Sequence, residues 1–344
     1  MATIFDLVKA NEIAAYWTGI SEEEIYPTEE LFPNAKKRGL SLAWIKGSRG
    51  LPVALKSSAF DVAAVPRARR GFQRLTAEMP YFKESLYIDE ELRQELNLVL
   101  ETGNQNYIDS VINRIFDDSA ELIRAAAVSR EAMRMEALTT GVIAIANNGQ
   151  NFVFDYNVTH KGNASVSWSS TSTADPVKDI RNAVNAIRDD TGATPTRAMC
   201  DGTVWGYIRN SAAIKSAIYP AFPGVGEISD GILRDYIRNV AGVDVFVNDR
   251  RYKDVDGNSV KYMPANTFVL FPEGKLGNTW MGTTPAESDL MSSNIANVAL
   301  VNEGVAVTTV TKADPVQVET IVSQICLPSF EAADAVYIMD TVQS

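Results

Sequence analysis

The chain is poor in the groups that carry most enzyme chemistry. Its 344 residues include one histidine, His160, and two cysteines, Cys200 and Cys326. Histidine is the commonest general base and a frequent metal ligand. A Ser-His-Asp or Cys-His arrangement would have to use His160, which lies beside Asn163 and a Ser/Thr tract. No Gly-x-Ser-x-Gly elbow accompanies it, so His160 reads as a solvated loop residue. The two cysteines are far apart and lack metal-like neighbours, which fits a reducing compartment and argues against a disulfide scaffold. Basic charge is also short: 32 Lys+Arg against 43 Asp+Glu leave a net charge of −11. Such a chain repels nucleic acid through its mean field, which disfavours a DNA- or RNA-binding enzyme. No apolar run approaches the roughly 18 residues of a membrane span. The opening Met1-Ala-Thr-Ile-Phe-Asp-Leu-Val-Lys9 lacks the basic-then-apolar order of a secretory signal, so cytosol-like conditions are expected.

The motifs that come nearest to a cofactor site fall short of one. Gly224-Val-Gly226 through Gly231 has two glycines of a dinucleotide fingerprint, but the third is misplaced. Pro220 and Pro223 precede it where a strand is needed, and no Gly-x-x-x-x-Gly-Lys-Ser/Thr loop occurs. Asp254-Val-Asp256-Gly257-Asn258 resembles half a calcium loop. Its sixth and twelfth positions are Ser259 and Ala265 instead of Gly and Glu, so a hairpin turn is the better reading. Asp189-Asp190 and Glu22-Glu23-Glu24 have no apolar pocket to split their pKa values. No catalytic residue, metal or cofactor is expected.

What the chain does have is 46% hydrophobic content, enough for substantial cores, and a long amphipathic pattern. From about 106 to 138, apolar residues recur at Ile108, Val111, Ile112, Ile115, Phe116, Leu122, Ile123 and onward to Leu138. Neither Pro nor Gly interrupts them. Asp109, Arg114, Asp117, Asp118, Glu121, Arg124, Arg130, Glu131, Arg134 and Glu136 are assigned to the solvated face. A helix of this length spans about 50 Å, more than a compact domain requires.

Before it, residues 1 to about 35 read as an arm, with a short helix from Ile4 to Ala15 and no core element. Truncating them is expected to impair assembly more than subunit stability. Strand-like pieces follow from Leu40 to about Tyr87, broken by Gly, Pro and Arg, which suggests a projecting β-arm. After the helix, Gly141–Ala146 and Phe152–Val158 flank an Asn147–Gln150 hairpin turn. Asp175-Pro176 marks a helix start with Asp175 as N-cap, running to about Asp190 with Ile180, Ala183, Val184 and Ile187 inward. Strands and helices then alternate to Phe271, and from Leu300 the text is mostly β. The class is α+β, with a mixed domain inserted into a sheet-and-helix domain.

One stretch breaks the acidic trend. Pro66-Arg67-Ala-Arg69-Arg70-Gly-Phe-Gln-Arg74 holds four arginines, with no acid between Val62 and Ala77. Arginine forks pair with carboxylates or phosphates. The preferred reading is an ion-pairing edge against a neighbouring subunit, for instance Asp117, Asp118 and Glu121. Nucleic-acid contact and a plain solvated loop are the alternatives.

This order of parts resembles the Hong Kong 97-type fold, and within it the lambda-like phage major capsid protein E group. The most telling stretch runs Tyr252-Lys-Asp-Val-Asp-Gly-Asn-Ser-Val-Lys-Tyr-Met-Pro264-Ala-Asn-Thr-Phe-Val-Leu270, a hairpin followed by a Pro-x-Asn-Thr segment. Asp314-Pro315 and the ending Ser323-Gln-Ile-Cys-Leu-Pro328 also fit. The resemblance implies a non-enzymatic head protein of a tailed double-stranded DNA phage, self-assembling into hexamers and pentamers of an icosahedral shell. It implies an N-terminal arm (1–45), an extended β-loop (46–81) and a peripheral domain (82–174) holding the spine helix. An axial domain (175–298) and peripheral C-terminal strands (299–344) complete it. The loop with Pro220, Phe222, Pro223 and Gly224 would lie near the capsomer axis. Expected partners are identical copies, a separate scaffolding protein, a portal and DNA packaged without sequence-specific binding, with a decoration protein left open and no membrane. The place would be the virion, after assembly in the host bacterial cytoplasm. Lys46, Lys56 and Asn302 cannot be aligned to a covalent cross-link, and none is expected. A bacterial encapsulin-type compartment shell, or a soluble α/β enzyme, is the alternative.

Overall fold

The computed structural model describes residues 7–20, 26–46, 73–147, 149–221, 226–293, 295–314 and 316–342. The strand expectations at Val53–Leu55 and Phe60–Val65 lie outside these. The described helices are α1 (Ala10–Gly19), α2 (Glu90–Thr102), α3 (Gln105–Thr140), α4 (Pro176–Thr191), α5 (Gly202–Asn210), α6 (Ala212–Ile218) and α7 (Asp230–Ala241). The strands are β1 (Asn34–Lys36), β2 (Ser41–Lys46), β3 (Gln73–Glu78), β4 (Tyr81–Tyr87), β5 (Val142–Asn147), β6 (Gln150–Asp155), β7 (His160–Asn163), β8 (Arg197–Cys200) and β9 (Asp244–Val247). They continue as β10 (Arg251–Lys253), β11 (Ser259–Lys261), β12 (Thr267–Phe271), β13 (Asn278–Met281), β14 (Asn297–Val301), β15 (Val305–Ala313), β16 (Val316–Ser329) and β17 (Tyr337–Asp340). The chain divides into two compact units, each assembled from separate stretches of sequence.

Unit 1 comprises Met1–Leu42, Ala77–Arg134 and Asn278–Ser329. Its sheet runs β1-β13-β16-β15-β14, with β4 also pairing β16. The 14-residue β16 organises it: Val316–Gln324 pairs with β15, Glu319–Ile325 with β4, and Cys326–Ser329 with β13. Burial along β16 alternates through Ile321 and is continuous from Val322. That switch marks a strand passing from a half-solvated to a fully covered position. Its β-branched residues suit the pleated surface. Against the sheet pack Leu96 of α2 and Val111, Ile115, Phe116 and Ile123 of α3. Val8, Ala10 and Ile13 join the same core.

The N-terminal expectation therefore needs correction. The described helix runs from Ala10 to Gly19, residues 4–6 of the expected one lie outside the described residues, and Leu31 and Phe32 are buried, at 1% and 0% exposure. Apolar residues spaced thinly among acids read as an arm in sequence, yet a few well-placed ones suffice to anchor a segment to a core.

Unit 2 comprises Ala43–Thr76, Met135–Gly277 and Phe330–Ser344. Its five-stranded sheet has the order β7-β17-β12-β8-β9, with β12 antiparallel to both β17 and β8. Helix α4 begins as the sequence predicts. The Asp175 side chain accepts from the Lys178 N–H at 3.1 Å, Pro176 opens the first turn, and Gly192 ends it at φ +73°. Ile180, Ala183, Val184 and Ile187 are buried. Three of these, not Ile187, join a core that includes Trp168 and Phe268, whose rings meet edge to face at 5.3 Å. The β5–β6 hairpin closes with Asn147 opposite Gln150.

Two further expectations change here. The C-terminal strands divide, because β17 pairs with β12 and β7 in unit 2 while β14, β15 and β16 belong to unit 1. His160 is no solvated loop residue. It sits on β7 with its side chain 12% exposed, stacked 6.3 Å from Tyr337 and 3.3 Å from Asp190.

Candidate assembly interface

Strand β2 pairs with β3 in a two-stranded ribbon that flanks residues 47–72, and those residues lie outside the described ones. Arg74 lies on β3, one residue inside its start. Arg67, Arg69 and Arg70 lie outside the described residues. Their proposed carboxylate partners are all on α3, but two are already engaged. Asp117 accepts a hydrogen bond from the Tyr16 hydroxyl at 2.6 Å, which is also the main reason that the Tyr16 pKa is raised. Glu121 pairs with Arg124 one turn along the helix. Asp118 is exposed. Tyr16 also tilts its ring against Phe116 at 5.4 Å, so the Asp117 contact helps dock α1 on α3. Trp17 Nε1 donates to Asn302 Oδ1 at 3.2 Å, which gives Asn302 a partner within the chain.

The loop expected near a capsomer axis is described only in part. Pro220 lies in a turn after α6, and Phe222, Pro223 and Gly224 fall outside the described residues. Lys215 Nζ donates to the Gly226 carbonyl at 2.8 Å, tying the loop's far end to α6.

A buried polar network on α3 was not anticipated from sequence. Arg130, Glu131 and Arg134 were assigned to the solvated face, yet none is more than 5% exposed. Arg134 Nε donates to Thr279 Oγ1 at 2.8 Å and Nη2 to Asn34 Oδ1 at 2.6 Å. The Thr28 hydroxyl donates to Glu131, and Arg134 Nη1 stands 3.8 Å from the same carboxylate. Arg130 donates to Gln324 Oε1 at 2.8 Å, and Gln324 returns a bond to the Ala126 carbonyl. Segment 28–34 and strands β13 and β16 thus supply this flank's polar partners. Burial pushes the Glu131 pKa up and the Arg134 pKa down. The available signal was Met133 and Met135 flanking Arg134, an apolar neighbourhood in which a charge needs partners.

In unit 2 the half-calcium motif is a turn. Asp254 Oδ1 accepts from the N–H groups of Asp256 and Asn258, and Gly257 adopts φ +82° between β10 and β11. Among the described residues no group of three His, Cys, Asp or Glu could hold a metal. Both cysteines are buried and unpaired, and burial raises both thiol pKa values, that of Cys326 to about 11. Asp249 accepts from the Gly202 N–H and from Lys261, which hold its carboxyl below the ordinary range. A depressed carboxylate stabilises the fold above its unfolded pKa of about 3.9, and that contribution is lost as pH falls through the native value. Asp249→Asn should therefore show a shallower fall of Tm with acidification below about pH 4 than the parent, in a thermal melt series. Equal slopes would mean that these bonds are solvated away.

The geometry thus offers two cores and a two-stranded ribbon. The model of the family described as "Phage major capsid protein E" matches residues 28–341. The chain belongs to that family. It is a phage major capsid protein, a structural protein of the virion. Its fold matches solved capsid structures. A prophage protein of E. coli CFT073, provisionally assigned to the capsid, is 16% identical. Its TM-score is 0.59, with 97% of this chain and 99% of that one covered. A phage-related protein of Bordetella bronchiseptica RB50 is 14% identical, with 97% of each chain covered and a TM-score of 0.52. The capsid of Cyanophage A-1(L) gives 13% identity, 91% coverage of each chain and a TM-score of 0.50. No match is found among curated protein sequences. These likenesses identify the Hong Kong 97-type fold of the capsid protein. None of the described helices is long and apolar enough to cross a membrane.

Proposed function

We propose that this capsid protein builds hexamers and pentamers that close an icosahedral head around the double-stranded DNA of a tailed phage. The family match over residues 28–341 carries the reading. The fold is in keeping with it, since β2 and β3 form a ribbon that no third strand joins among the described residues, and such edges can be covered by a neighbour. The arm at 46–81 reaches the adjacent subunit, residues 106–138 form the spine, and 175–298 line the capsomer axis with loop 219–226 nearest to it. Net charge of −11 suits a wall that confines DNA without adhering to it. A separate scaffolding protein and a portal serve assembly in the host cytoplasm, and a decoration protein is an optional outer partner.

Electron microscopy of the protein expressed with its scaffold tests this directly, with closed shells as the expected result. Arg69→Glu with Arg70→Glu should remove the shells while leaving the subunit's melting transition in place. A parent that stays monomeric at all concentrations would overturn the reading, and shells from the double variant would overturn the role of the arginines.

A further inference from the structure

Hairpin β5–β6 in unit 2 is a two-stranded ribbon, and among the described residues no third strand joins it. Its two edges differ. On β5 the Val142 N–H donates to Thr140 Oγ1 at 3.1 Å, and the Ala144 N–H to Glu136 Oε1 at 3.1 Å. These residues therefore turn their backbone groups out of the ribbon. Their ladder partners Asp155 and Val153, and Asn151 opposite Ala146, do the same from the β6 edge. No described residue accepts from the Asn151 or Val153 N–H. Open edges are commonly blunted by lysine, proline or inward-pointing charge. From Gly141 to Tyr156 there is no Lys, Arg or Pro, and Asp155 is the one charge. Val153, in the middle of the open edge, is 64% exposed.

We propose that this edge pairs with the same edge of a second copy, antiparallel and centred on Val153. The strand's own sequence selects that occupant, because it is self-complementary about this residue. With Val153 opposite Val153, Asn151 falls opposite Asp155 on both sides, so each carboxylate meets an amide donor. Asp155 Oδ1 accepts from the Asn157 N–H at 2.7 Å within the chain, and Oδ2 remains for that amide. Phe152 falls opposite Phe154 in the closer, non-hydrogen-bonded pairs. Within one hairpin these two rings stack at 6.1 Å, on the face that holds the buried Ile143. The joined ribbons form a four-stranded sheet with a four-ring ladder, and cross-strand aromatic pairs are stabilising. A slip of two residues would set Asp155 against Val153 and lose the amide partner. The contact is isologous, with one patch meeting its own copy across a two-fold axis. Head-to-tail contacts close a ring, whereas a two-fold contact joins one ring to the next. The inference rests on the shell reading for that place, between capsomers.

The test co-expresses two full-length variants, Asn151→Cys and Asp155→Cys, with the scaffold and adds a short bismaleimide. Both native cysteines are buried, so the new thiols dominate the reaction. The register sets the two different thiols opposite each other, while two copies of either variant hold theirs about 13 Å apart along the strands. The expected product is a mixed dimer, identified by mass spectrometry, about ten-fold or more above the dimer from either variant alone. Val153→Lys sets like charges directly opposite at the axis and should cut the yield of shells by about ten-fold or more. Its melting transition should stay in place, since the side chain is exposed. Shells from the parent without a mixed dimer would overturn this inference and leave the shell reading standing. Shells from Val153→Lys at the parent's yield would overturn it as well. A link from either thiol to the scaffold in place of a second copy would assign the edge to that partner and overturn the proposal. Absence of both shells and mixed dimer would overturn the two readings together.

Discussion

Removal of residues 1–33 is expected to abolish cooperative folding of the subunit as well as its assembly. The segment places Val8, Ile13, Leu31 and Phe32 in buried positions, none more than 2% exposed. Fully burying a side chain of this kind contributes about 1.5–3 kcal/mol, so the four together contribute about 6–12 kcal/mol. That is comparable to the whole stability of a typical domain, about 5–15 kcal/mol. The truncation also removes Thr28, which donates to the buried Glu131, and Phe32, whose carbonyl accepts from Thr279. Calorimetry or a circular-dichroism melt should show no sharp transition, and most of the product should be insoluble. A truncated subunit melting within a few degrees of the full chain, and failing only to assemble, would restore the view of this segment as a free arm.

The same segment shows where sequence reasoning runs out. Local signals translated directly into structure: Asp175-Pro176 capped α4, and Asn147–Gln150 closed β5 on β6. Each depends on a few adjacent residues and on backbone preferences that hold in any context. The long helix was equally legible, as Gln105–Thr140, because uninterrupted apolar spacing leaves no other period. What failed depended on distant partners. Arg130, Glu131 and Arg134 look like solvated charge until strand β13, strand β16 and residues 28–34 are laid over them. Helix α2 was legible and passed over: Leu92, Leu96, Val99 and Leu100 recur at helical spacing in Glu90–Thr102, and the core of unit 1 covers them. His160, by contrast, depended on distant partners, since the parallel pairing of β7 with β17 joins residues far apart in the chain. For the assembly surface, the basic stretch was visible in composition. Two of the carboxylates expected to face it, Asp117 and Glu121, have partners within the chain.

Arg134→Ala should cost about 3–5 kcal/mol, because breaking a buried ion pair leaves the surviving charge without compensation. Glu131 is 1% exposed and faces Arg134 at 3.8 Å, with the Thr28 hydroxyl as its hydrogen-bond donor. The substitution also frees Thr279 and Asn34 of their guanidinium partner and opens a void where a long side chain lay. The opposite shifts of the two groups predict how a compensating change behaves. Burial is the largest influence on both, raising Glu131 and lowering Arg134, so desolvation outweighs their mutual attraction. Replacing the pair by apolar residues of similar volume, Glu131→Leu with Arg134→Met, should then recover most of the loss. Urea unfolding of the unassembled subunit, run as a double-mutant cycle, separates these terms. A loss below about 1 kcal/mol for Arg134→Ala would match an exposed pair and would mean that water reaches the network. A double variant no more stable than Arg134→Ala would mean that the hydrogen bonds from Arg134 to Thr279 and Asn34, and not the ion pair, fix segment 28–34 to the helix.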